Sequence, residues 1–296
     1  HMRKWGIIFL TLLIHSSLGC AQPTPKIVVS FSILKDLVEN VGGEAVTVTS
    51  LVGPNSDAHI FEPTPESAQL ISEADLILIN GLGFEAWIPR LVESTKTKAK
   101  IVIASQNIKS RTFVQGNEFS PDPHAWHDVK NAMIYVDNIE KALLGLIPQS
   151  TELIQKNAAR YRKQLKDLET WIYKELESIP RHQRTVITAH DAFGYLSEAY
   201  QIKFLAPQGL STESEPSVQE VVDLIKEIKE HRVGVVFIEN ITNERLIRHI
   251  AEEAGVAIGG MLYSDALSEK NQPAATYVDM MKINIQLLKS GMLKNK

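Results

Sequence analysis

Short apolar runs alternate along this chain with stretches of helical period. Past residue 21 the first run is 27–31 (IVVSF), followed by a helical spacing over 33–41 that closes on Gly42-Gly43. Strand-like runs then fall at 46–51, 76–79 and 101–103, with a helix over 65–73. The second half repeats the order, with strands at 186–188, 203–206, 235–238 and 256–259 and helices over 192–200, 218–230 and 245–253. Brief buried strands spaced by helices predict parallel sheets with crossover connections. Two stretches also match by letter, SFSILKDLVENVGGEAVTVTSLVG and ITAHDAFGYLSEAYQIKFLAPQGL, which reads as a duplicated α/β unit.

Between the halves, residues 151–178 hold neither Gly nor Pro and space their apolar positions for a helix through Leu153, Ala158, Tyr161, Leu165, Leu168, Ile172 and Leu176. Pro148 precedes the segment and Pro180 stops it. At 1.5 Å per residue such a helix runs roughly 42 Å, the length of a whole small molecule. The expected fold is therefore α/β, with two similar (β/α)4-type lobes, each built on a mainly parallel sheet. One long rigid linker helix joins them, and its stiffness resists wide hinge opening. The expected divisions are 22–148 for the first lobe, 149–180 for the linker and 181–296 for the second.

Composition narrows the chemistry. The chain has 296 residues, 22% of them charged and with a net charge of -4, which gives no basic footprint for nucleic acid. A single Cys excludes a disulfide framework, a Cys-rich zinc site and an iron–sulfur cluster. That Cys sits in a leader. His1 reads as a cloning scar ahead of Met2; Arg3-Lys4, the apolar WGIIFLTLLI and the small-residue exit SSLGCAQ then form the parts of a secretory signal peptide over 1–21. Its apolar stretch is too short to span a bilayer. Leu18-Gly19-Cys20 also resembles the end of a lipobox, with Cys20 as the lipid anchor and Ser17 where Leu is expected. Either way the expectation is a periplasmic, exported chain. Removing 1–21 takes Arg3 and Lys4 and no acid, so the charge moves from -4 to -6.

A metal site would have to be made of His and carboxylates. His182, His231 and His249 lie in charged surroundings and read as surface groups. His59, His124 and His190 each follow the carboxyl end of a strand, where open α/β sheets bind ligands. Asp265 holds the same kind of position after the last strand, and His127 is a weaker candidate three residues past His124. Imidazole nitrogen with carboxylate oxygen suits zinc or manganese. No HEXXH, GXSXG, P-loop or post-strand GXGXXG is present, and Gly81–Phe84 (GLGF) reads as a turn.

These residues resemble a known family. GPNSDAHIFEPTP, DPHAWHD, TAHDAFGYL and YSDAL, in that order, are similar to four motifs of the zinc- and manganese-type solute-binding proteins of bacterial ABC importers, and STESEPS at 211–217 resembles another family stretch. The resemblance implies four metal ligands at His59, His124, His190 and Asp265, with Zn2+ or Mn2+ bound as cargo in the cleft between two lobes. It implies a cognate ABC permease and, through it, a cytoplasmic ATPase as partners, with no nucleic acid and a monomeric chain. It also implies a binding protein rather than an enzyme.

The chain departs from the family pattern in four places. Ala58 stands where Pro is frequent, which predicts a looser loop around His59, and His127 stands where Leu is common. Residues 109–121 carry none of the His found there in many zinc members, and His190 replaces the Glu commoner in manganese binders. A modest-affinity site accepting both ions is expected, with zinc tighter in comparable geometry. Affinity should fall as pH drops through roughly 6–7, where imidazole protonates. Asp57, Asp128, Asp191 and Glu239 are candidates to hold the outer ring nitrogens. The reading from another class is an exported metal-dependent hydrolase, disfavoured because four protein donors close a tetrahedral site; a surface adhesin with a structural metal is a third.

Overall fold

The computed structural model describes residues 22–296 apart from Gly116, so the expected leader at 1–21, Cys20 included, lies outside the described residues. The first half runs β1 (Lys26–Val29), α1 (Ser32–Gly42), β2 (Thr47–Ser50), α2 (Pro65–Glu73), β3 (Leu76–Ile79), α3 (Ile88–Thr95) and β4 (Lys100–Ile103). A hairpin of β5 (Thr112–Gln115) and β6 (Glu118–Pro121) follows, then α4 (Val129–Leu146) and the long α5 (Thr151–Glu177). The second half runs β7 (Thr185–Ile187), α6 (Gly194–Tyr200), β8 (Lys203–Leu205), α7 (Val218–Glu230), β9 (Val235–Glu239), α8 (Arg245–Ala254), β10 (Ala257–Leu262) and α9 (Tyr277–Met292).

Two four-stranded parallel sheets result, ordered β2-β1-β3-β4 and β10-β9-β7-β8. Counted within each half, both place the strands second-first-third-fourth, so the letter-level repeat is a repeat of topology. The inner strands are apolar on both faces, as in β3 (LILI), because helices cover the sheet from both sides. Helix starts are set by local chemistry. Thr64 and Ser67 form a capping box ahead of Pro65 at the start of α2, and Ser217 and Glu220 form another at α7.

Helix α5 buries Ile154, Asn157, Ala158, Tyr161, Leu165, Leu168, Ile172 and Leu176, a stripe that begins at Ile154 rather than at Leu153. It packs against α1 and α4 of the first half and α9 of the second. The largest apolar core is continuous through these helices, from Val29 and Leu78 in one sheet to Val235 and Phe237 in the other. The two halves therefore share a core along the spine. Helices α3, α4 and α9 and the β5–β6 hairpin are additional to the elements read from the sequence pattern. Gly81–Phe84 is a turn, closed by the Phe84 N–H donating to the Gly81 carbonyl at 3.1 Å.

Candidate metal centre

Four loops at the carboxyl ends of strands meet between the halves. The loop after β2 is tied by the Trp87 indole, which donates to the Ala58 carbonyl at 2.8 Å. Ala58 is fully buried there. The Asp57 carboxylate accepts from the His59 N–H at 2.9 Å and from the Thr212 hydroxyl, across the cleft, at 2.5 Å. Past β4 and the hairpin, Asp122 Oδ1 accepts from both the backbone N–H (3.1 Å) and Nδ1 (2.8 Å) of His124. His190 follows β7, with its N–H and Nδ1 both directed to Glu239 at the end of β9, at 2.8 and 2.6 Å. Asp265 follows β10, whose register slips by one residue between Ile258 and Met261, where Gly259 and Gly260 sit. A bulge of this kind re-aims the chain beyond it. The Ser264 carbonyl is then fixed by the Trp126 indole at 3.0 Å.

His59, His124, His190 and Asp265 converge, each offering one ligand atom within 4.8 Å of the others. His59 Nε2 lies 3.0 Å from Asp265 Oδ2 and 3.3 Å from His124 Nε2. His190 Nε2 lies 3.2 Å from Asp265 Oδ2, and His124 Nε2 lies 3.5 Å from Asp265 Oδ1. Donors about 2.0–2.1 Å from a tetrahedral ion stand about 3.3 Å apart, and these four contacts of 3.0–3.5 Å lie near that spacing, within a set that spreads to 4.8 Å. His190 Nε2 and both Asp265 oxygens are buried without a hydrogen-bond partner, a costly state for polar atoms that a cation relieves. The carboxylates on Nδ1 of His124 and His190 require the proton there, which leaves Nε2 with a free lone pair toward the centre. In strand order His124 and Asp265 follow equivalent fourth strands, whereas His59 follows a second strand and His190 a first.

Electrostatics fit a cation. Burial alone would lower the His124 pKa, but Asp265 and Asp122 more than offset it and hold the ring up at about 9. His190 is likewise pushed well above its ordinary value by Glu239 and Asp265 against its own burial. Burial would raise Asp265, yet His190 and His124 keep it well below the usual carboxylate range.

His127 is not part of the cluster. It is fully buried between Phe193, with ring centroids 4.7 Å apart, and Trp126, at 5.5 Å. Neither ring nitrogen makes a well-aligned hydrogen bond among the described residues. Burial, with the neighbouring charge of His124, lowers its pKa to about 3 against the opposing influence of Asp265, the Ser264 backbone and Asp122. Of the four candidate partners for outer ring nitrogens, Glu239 fills the role and Asp57 holds only the His59 backbone. Asp128 instead caps α4 through the Lys130 N–H at 2.9 Å, and no hydrogen bond joins the Asp191 carboxylate to a ring of the cluster. Asp122 is the partner that sequence reasoning missed, although its signal was present: Asp122-Pro123-His124 repeats the Asp-x-His of Asp57-Ala58-His59. His182, His231 and His249 are exposed, as their charged surroundings imply.

A cavity of about 390 Å³ forms the mouth, lined by Phe84 and the 207–216 segment; among the four converging residues only His59 reaches it. The other three are fully buried behind it.

Residues 27–291 match the family model described as zinc-uptake complex component A, periplasmic (ZnuA). The chain belongs to this family. Among ZnuA-family relatives, the manganese-binding lipoprotein MntA of Halalkalibacterium halodurans is 37% identical over 270 residues, covering 90% of this chain and 88% of that one. The iron-binding protein YfeA of Yersinia pestis is 32% identical, covering 90% and 86%. In structure, the periplasmic zinc-binding protein TroA of Treponema pallidum superposes with a TM-score of 0.86 at 30% identity, covering 91% of this chain and 99% of TroA. The ZnuA-family assignment thus rests on sequence and on the two-lobe fold together.

Proposed function

We propose that His59, His124, His190 and Asp265 take up one divalent transition-metal ion, Zn2+ or Mn2+, in the cleft between the lobes. The chain then hands that ion to a cognate ABC permease driven by a cytoplasmic ATPase. The observation that carries this reading is the buried convergence of three Nε2 atoms and one carboxylate within 4.8 Å. Relatives named for manganese, iron and zinc support a site of this donor chemistry without fixing the ion. Three imidazoles and a carboxylate favour zinc over manganese in comparable geometry. The ion is cargo, and four protein donors leave a tetrahedral ion no open position for turnover, which supports a carrier and not an enzyme.

The address follows the same reading. Relatives named as lipoproteins support export with a leader cut ahead of Cys20, which then carries the lipid, over removal of the whole 1–21 segment. No helix among the described residues is long and apolar enough to cross a membrane. The chain acts as a monomer, with 22–148 and 181–296 as lobes and 149–180 as the connection.

Calorimetric titration of demetallated protein with Zn2+ and Mn2+ in parallel tests the reading. One site per chain is expected, and binding should be abolished or much weakened in His124→Ala, His190→Ala and Asp265→Ala. Undiminished binding in those variants would sink the assignment.

A further inference from the structure

Behind His124 lies a cluster that belongs to both halves of the molecule. Asp122 Oδ1 holds the His124 ring, while Asp122 Oδ2 accepts from Arg111 Nη1 at 2.7 Å. The same guanidinium donates through Nε to Glu198 Oε1 on α6 at 2.7 Å. The Arg111 N–H donates to the Tyr195 hydroxyl at 3.0 Å, and that hydroxyl donates to the Asp122 carbonyl at 2.6 Å. The guanidinium carbon also stands 5.7 Å from the Tyr195 ring centroid. Space for this comes from Gly194: a Cβ there would lie 1.8 Å from Arg111 Nη1 and 2.9 Å from Asp122 Oδ2.

We infer that Arg111 is a positioning residue that couples His124 to the contact between the halves and sets how fast the bound ion leaves; this rests on the metal-capture reading above. Arg111 and Asp122 come from the segment between β4 and α4, whereas Gly194, Tyr195 and Glu198 ride on α6 of the other half. If the halves part, Glu198 and Tyr195 withdraw, and the Asp122 carboxylate that orients His124 loses the group that braces it. Bracing a ligand's carboxylate partner in this way is how outer contacts tune a metal site. The planar fork of Arg meets Glu198 and Asp122 through separate nitrogens, Nε and Nη1, whereas Lys has a single nitrogen on a shorter stem to share between them. The braced carboxylate is fully buried, whereas the Glu198 side chain is 66% exposed, so that limb is open to substitution without disturbing the core.

The test is the rate at which Zn2+-loaded full chain releases its ion to excess chromophoric chelator, measured beside the association rate. Arg111→Gln should release about tenfold faster with association little changed, and Arg111→Lys should not restore the slow rate. Gly194→Ala, which alters no charge, should behave like Arg111→Gln, because its Cβ displaces the guanidinium. Glu198→Gln should show a smaller increase, about threefold, and its exposure makes it the deciding variant if the other two fold poorly. Release within twofold of the unmodified chain in Glu198→Gln and in each other variant that folds overturns the inference while leaving metal capture standing. An unmodified chain that takes up no Zn2+ overturns both.

Discussion

Glu239 accepts two hydrogen bonds from His190, one from its backbone N–H at 2.8 Å and one from Nδ1 at 2.6 Å. The pair joins the ends of β7 and β9, neighbouring strands of the second sheet, so the sheet itself sets the ring's direction. Glu239→Gln keeps the shape but can present an amide N–H to Nδ1, which favours the tautomer with its proton on Nε2. Metal affinity should fall about 10–100-fold, as for other partners of metal-bound imidazole. Calorimetry on the demetallated variant checks this, and affinity equal to the unmodified chain would show that the contact does not orient the ring.

The sequence alone places loss of affinity near pH 6–7, the range of an unperturbed imidazole. The structure moves it upward, because carboxylates hold the metal-free His124 at about 9 and raise His190 as well. An ion needs the Nε2 lone pair, so binding expels those protons. Affinity should therefore keep rising with pH above 7, by about tenfold per pH unit for each proton displaced, with the His124 contribution levelling off at about 9. Titrations at pH 7 in buffers of different ionisation heat count the protons directly. About two are expected; none would contradict the electrostatics of the cluster.

The sequence already contained much of this. Alternation of apolar runs and helical periods predicted two parallel sheets, because parallel strands buried on both faces must be apolar throughout. The repeated letters predicted that the two halves are alike; the strand order within each sheet was visible only in the structure. Helix α4 was legible too: Val129, Ala132, Val136, Ile139 and Leu143 step by three and four. The hairpin was not, since β6 is exposed along its whole length and burial imposes no pattern on it. Arg111 was equally hidden. Its role depends on α6, more than 80 residues away, and on the missing Cβ of Gly194, neither of which has a local signature.

His127 is buried with neither ring nitrogen in a well-aligned hydrogen bond among the described residues. Its ring lies among aromatic neighbours, where a polar group left unsatisfied costs about 1–3 kcal/mol. Leu, the residue common at this position in the family pattern, has similar bulk and nothing to desolvate. His127→Leu should raise unfolding stability by about 1–2 kcal/mol in urea titrations, with Zn2+ affinity within twofold of the unmodified chain. A loss of metal affinity above tenfold would instead make His127 part of the binding machinery.

Asp36 on α1 accepts from the Tyr277 N–H at 2.8 Å, a bond that ties the first half to the start of α9. Burial, with like charge from Glu39 and Asp279, pushes its pKa from 3.8 up to about 6, although Tyr277 and Asn40 donate hydrogen bonds that oppose the shift. The unfolded chain gives up this proton near pH 4 while the folded chain keeps it to about pH 6. Between those values the unfolded state binds fewer protons, so the group's contribution to stability falls as pH rises and then levels off. The full penalty is at most about 3 kcal/mol. Asp36→Asn keeps an oxygen for the Tyr277 N–H and has no charge to bury. Urea titrations from pH 4 to 7 should find the variant near parity at pH 4 and increasingly the more stable toward pH 7. A difference that stays constant across this range would mean that Asp36 does not titrate as its surroundings dictate.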